Sequence, residues 1–186
     1  MKKGFTLIEL LIVIAILAIL ATTVVLVLNP AQILAQARDA QRISDLSSVK
    51  SAIALYLATA TTPAVSALAT CTVAGCMGVA VNDGPFDGIL ESLNTTTGVL
   101  GAGWVLVDLS GTAGGSSLSA LPVDPTNLGN FFYAYRGTAG LTFELDSRLE
   151  SQKYQTMMVN DGGNRSTCST FIEATCYYET GTVVSL

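Results

Sequence analysis

Apolar positions fall into three regimes along the chain. Over residues 5–28 they are nearly continuous, and Glu9 is the one charged residue in the run. At about 1.5 Å rise per helical residue this run covers roughly 36 Å, enough to cross a hydrocarbon core. Over residues 31–60 there is no proline and no glycine. Here Ile33, Ala37, Ala40, Ile43, Leu46, Val49, Ile53, Tyr56 and Leu57 recur at spacings of three and four, the apolar stripe of an amphipathic helix. Gln36, Arg38, Asp39, Gln41, Arg42, Asp45 and Lys50 lie off that stripe. Asp39/Arg42 and Arg42/Asp45 are three apart, so the charges read as a solvated or inter-subunit face. Asn29-Pro30 sits between the two helical stretches, where proline removes a backbone hydrogen bond and predicts a kink or local break.

The third regime begins after Thr61-Thr62-Pro63, which ends the helix. Residues from there to about 100 read as loop, with a turn at Asn82-Asp83-Gly84-Pro85 and a short helix over 88–93. Residues 104–109 alternate and predict a strand, 111–117 a flexible turn, and Leu121-Pro122-Val123-Asp124-Pro125 a rigid connector. Residues 131–136 and 141–145 flank Gly137-Thr138-Ala139-Gly140, a hairpin signal, with Leu141, Phe143 and Leu145 on one face of the second arm. A further strand is expected within 177–179 or 182–184. The fold class is therefore α+β, a long N-terminal helical spine packed on a small antiparallel sheet in a C-terminal head. The segments are 1–4, 5–28, 29–60 and 61–186.

The N-terminus changes what the apolar run means. Met1-Lys2-Lys3-Gly4 is short, basic and polar, which fits a cytoplasmic leader. Ile19-Leu20-Ala21 offers no A-x-A-like cleavage site, and the apolar run is longer than a secretory signal needs. Cleavage after Gly4 would place the new α-amine of Phe5 one helical turn from Glu9 and offset a carboxylate that is otherwise unfavourable in a membrane. A plain single-pass anchor that keeps Met1 is the alternative.

Composition narrows the function further. The net charge is −5, and losing Lys2 and Lys3 would take it to −7 counting side chains only. An acidic protein has no general attraction for nucleic-acid backbones, so direct nucleic-acid binding is not expected. There is no histidine, no phosphate-binding loop and no nucleophile elbow, and the chain reads as non-enzymatic. Four cysteines allow three pairings, and the local pairs Cys71–Cys76 and Cys168–Cys176 each close a short loop rich in turn formers. A four-thiolate zinc site competes with them, although its spacings suit a ribbon or finger poorly. Asn160-Asp161-Gly162-Gly163-Asn164 is either an ordinary turn or a weak calcium candidate through Asp161 and Asn164. No other cofactor is implied.

The run Lys3-Gly4-Phe5-Thr6-Leu7-Ile8-Glu9-Leu10-Leu11-Ile12-Val13-Ile14-Ala15-Ile16 resembles the class III signal of type IV pilins and pseudopilins. That resemblance implies cleavage after Gly4 by a prepilin peptidase, methylation of Phe5, and an assembly role for Glu9 against a neighbour's N-terminus. It also implies a helix that loses regular structure near Pro30 on packing, for which a static kink is the alternative. The Cys168–Cys176 loop is similar to the C-terminal disulfide loop of many type IV pilins. The implied protein is a major pilin. It would pass from a single-span inner-membrane form to an extracellular helical homopolymer, served by an assembly ATPase and inner-membrane platform proteins. A pseudopilin of a type II secretion or competence system, forming a periplasmic pseudopilus, is the first alternative. A membrane-anchored binding module that never polymerises is the second.

Overall fold

In a computed structural model, residues 4–74, 84–86, 89, 91–112, 114–166, 168 and 176–186 are described. The chain divides into two compact units, Met1–Ala35 and Gln36–Leu186.

The first unit is dominated by helix α1 (Leu7–Leu28). Its large apolar side chains face outward on every side, from Leu7 and Ile8 through Leu17 to Val27 and Leu28. A helix that is apolar all round needs a membrane or the interior of a larger assembly. The polar groups inside the run satisfy themselves. Thr22 Oγ1 donates to the Ala18 carbonyl at 2.7 Å, and Thr23 Oγ1 to the Leu20 carbonyl at 2.8 Å. Asn29, in the left-handed region with φ 40°, ends α1. Pro30 then opens α2 (Pro30–Thr59), where its missing N–H would have had no helical partner. The helix is thus interrupted, and Asn29 accepts from the Gln32 amide at 2.9 Å to start the new one.

The second unit packs residues 36–59 of α2 against a sheet. Among the described residues the strands are β1 (Ala69–Cys71), β2 (Ser92–Leu93), β3 (Tyr133–Gly137), β4 (Phe143–Ser147) and β5 (Tyr178–Gly181), in the spatial order β2-β1-β3-β4-β5. A short helix, α3 (Gln155–Asn160), precedes β5. Leu46, Val49, Ile53 and Tyr56 of α2 meet Tyr133, Tyr135, Phe143 and Leu145 of the sheet, with Trp104, Val105, Val107 and Leu109 filling in from a loop. Ala69, Cys71, Phe86, Phe132, Ala134 and Tyr177 form a second cluster.

Five expectations change. The sheet is mixed, because β1 and β2 run parallel while the other pairs are antiparallel. Ala69–Cys71, within the stretch read as loop, is a strand too short for alternation to show. Ser92 and Leu93 join the sheet as β2 and are not helical, while residues 88 and 90 of that expected helix lie outside the described residues, as do residues 82 and 83 of the expected turn. Residues 104–109 bury as an apolar strand would but form no ladder. Their amides are drawn to loop carbonyls, Trp104 to Thr96 and Leu109 to Val99, both at 2.9 Å. The turn before them uses Gly101 at φ 81°, and a Cβ on Gly103 would overlap the Gly98 carbonyl. Finally, the stripe of α2 is apolar only in its second half. Ala37 and Ala40 are exposed, and beside Ala35 the buried positions there are Asp39 and Arg42.

The hairpin stands with shifted ends, since Phe131 and Leu141 fall outside β3 and β4. Leu145 opposes Tyr135 on the core side, so Glu144 and Asp146 project from the opposite face of the sheet.

Candidate functional site

The segment expected to be processed and to direct assembly lies at the start of α1. Gly4 and Phe5 precede the helix, and Phe5 is 80% exposed. A Cβ on Gly4 would touch nothing, so the Gly4–Phe5 peptide is open to approach. Thr6 is the N-cap, with the Glu9 amide donating to its hydroxyl at 3.3 Å. The Glu9 carboxylate reaches back in turn. It accepts from the Thr6 amide at 2.9 Å and from the Thr6 hydroxyl at 2.7 Å. This is a capping box, and it holds the carboxylate one residue from the amine that cleavage after Gly4 would create. Thr6 was legible as the first residue of a Thr-x-x-Glu pattern before an apolar run, but the sequence reading assigned it no part.

In the second unit, burial converts the expected surface charges of α2 into an anchor. Arg42 is fully buried and places all five N–H donors. Its Nε and one Nη hold Asp124 at 2.6 and 3.1 Å, and that Nη also reaches Thr126 at 3.0 Å. The other Nη holds Asp39 at 2.8 Å and Glu150 at 2.7 Å. Asp39 accepts from the Ser151 amide at 2.7 Å, and Asp124 from the Thr126 amide at 2.7 Å. Arg38 grips Glu150 through two contacts of 2.6 and 2.7 Å. Burial pushes the Arg42 pKa down, but the Asp124, Glu150 and Asp39 carboxylates hold it above its ordinary value. Burial likewise pushes Glu150 up, and the Arg38 and Arg42 hydrogen bonds bring it below the usual carboxylate range. The cluster fastens α2 to the 121–125 connector and to the chain after β4.

Cys168 and Cys176 are joined by a disulfide with Cα atoms 5.0 Å apart. Cys71 is buried and disulfide-bonded, while Cys76 lies outside the described residues. In the 160–164 turn, Asp161 accepts from the Gly163 amide at 3.1 Å and the Glu179 amide at 2.9 Å, and Asn164 donates its own amide to Glu179 at 3.2 Å. These residues pin the turn to β5.

A second acidic group escaped the sequence reading altogether. Glu144, Asp146 and Glu179 are buried together, with one carboxylate oxygen from each lying within 4.8 Å of the others. Asp146 opposes Glu179 across the β4–β5 pair, and Glu144 sits two positions along the same face. Burial raises the Glu144 pKa to about 8 and lifts Asp146 and Glu179 as well.

Residues 1–25 match a family model described as the prokaryotic N-terminal methylation motif. The N-terminus therefore carries the class III signal of type IV pilins and pseudopilins. The chain's apolar helix, amphipathic helix and five-stranded mixed sheet make an α+β, pilin-like arrangement. No curated protein and no solved structure matches the chain.

Proposed function

We propose that the chain is the structural subunit of a type IV pilus-like filament, a major pilin processed after Gly4 and methylated on Phe5. The observation that carries this reading is the pairing of an outward-facing apolar helix with a carboxylate at its first turn. In the membrane, lipid covers α1, and Leu7–Val25 is long and apolar enough to span it. In the filament, equivalent helices cover the same surface, and apolar burial at about 25 cal/mol per Å² supplies cohesion.

Glu9 supplies register. In the uncut chain it caps its own helix through Thr6. Among packed helices it would instead find a neighbour's N-terminal amine, and one axial offset brings the two together. A prepilin peptidase, an assembly ATPase and platform proteins complete the pathway. The subunit itself is structural and not an enzyme, passing from the inner membrane to the cell surface.

Glu9→Ala tests this assignment. The variant is expected to insert in the membrane at the wild-type level and to yield no sheared filaments. Normal filament yield would contradict the mechanism.

A further inference from the structure

The sheet has one face against α2 and another that carries Glu144, Asp146 and Glu179. Carboxylates on a buried face need partners, because an ionised group without one is strongly disfavoured in a dry interior. Glu179 has them, accepting from the Asn164 amide at 3.2 Å and the Arg165 amide at 2.9 Å. One Glu144 oxygen accepts from the Leu186 amide at 2.8 Å, and the other has no partner. Asp146 is fully buried, and neither of its oxygens has a hydrogen-bond partner. Three oxygens of this trio already converge within 4.8 Å of one another.

We propose that Glu144, Asp146 and Glu179 bind one calcium ion on the face of the sheet turned away from α2. Atoms that ligate a common calcium at about 2.3–2.6 Å can be no more than about 5 Å apart, and the three oxygens meet that limit. The donor set is oxygen only, which suits a hard cation and not zinc or copper. Calcium fits better than magnesium. Strand spacing fixes the carboxylate separations, and calcium tolerates irregular geometry where magnesium demands an octahedron and keeps several waters. Gly163 leaves room for the arrangement, since a Cβ there would overlap the Glu179 carboxylate. The ion gives the orphaned Asp146 carboxylate a partner and offsets most of the charge of a trio that ties β4 to β5.

The test is thermal unfolding of the full chain in detergent at neutral pH, followed by Trp104 fluorescence, in a calcium chelator or in millimolar calcium. Calorimetric titration with calcium chloride gives the stoichiometry. One calcium per chain and a midpoint rise of about 5 °C or more are expected. Asp146→Asn, which keeps the side-chain shape, should abolish that rise and weaken calcium binding at least about tenfold. Glu144→Gln gives the same reading if the first variant does not fold. A wild-type midpoint unmoved by calcium overturns the proposal and leaves the trio sharing protons. A calcium response that survives Asp146→Asn but is lost in Asp161→Asn also overturns it, placing the ion in the 160–164 turn.

Discussion

Replacing Asp124 by asparagine keeps the shape of the connector but withdraws the carboxylate that Arg42 holds at 2.6 and 3.1 Å. Arg42 stays fully buried, and an amide NH₂ now faces its guanidinium. Removing one partner of a buried, hydrogen-bonded ion pair costs about 3–5 kcal/mol. In a chain of this size each kcal/mol moves the unfolding midpoint by about 2–4 °C, so the midpoint should fall by about 10 °C. Trp104, the single tryptophan, reports on this region directly. It is wholly buried, and its Nε1 donates to the Pro122 carbonyl at 2.9 Å, two residues from Asp124. Arg38→Ala is the control, because its side chain is 38% exposed and Glu150 keeps Arg42 when it is lost. Solvent screening limits that pair to about 1 kcal/mol. Fluorescence melting of wild type and both variants therefore separates anchor from surface pair. An Asp124→Asn midpoint within about 2 °C of wild type, or no larger shift than Arg38→Ala, would refute the reasoning.

Two further predictions concern the same unit. Replacing both Cys168 and Cys176 by alanine reopens a loop of sequence separation 8, and denaturant unfolding should show a loss of about 2–3 kcal/mol. Glu150 governs an acid-side effect, because its folded pKa lies below its ordinary value against the push of burial. Its contribution is complete above the usual carboxylate range and is lost as pH falls through the lowered pKa, below about pH 4. Midpoints followed downwards in pH should fall more steeply for wild type than for Glu150→Gln.

The two helices were legible because long apolar and amphipathic patterns outlast local irregularities, and the hairpin because Gly137 and Gly140 punctuate two alternating arms. The strands β1 and β2 were not legible. Three and two residues carry no periodicity, and their pairing with β3 and with each other is a tertiary event. Residues 104–109 misled because their alternation recorded burial, which a loop wedged under α2 satisfies as well as a strand does. Arg42 misled for the opposite reason. Its three-residue spacing from Asp39 and Asp45 is what a surface pair shows, and only the distant Asp124 and Glu150 turn it inward. The proposed processing residues Gly4 and Phe5 and the proposed assembly residue Glu9 lie within one contiguous stretch of sequence. The acidic trio joins residues of β4 to one in β5, and no local pattern announces such a meeting.

The most direct test of the central claim is mass spectrometry of the N-terminus on filaments sheared from the cell surface. The account predicts a subunit that begins at Phe5 and carries one added methyl group on its amine. A processed terminus found only in the membrane fraction would contradict the surface filament and favour a pseudopilin. An intact Met1 would contradict the account entirely, leaving a head on a plain membrane anchor.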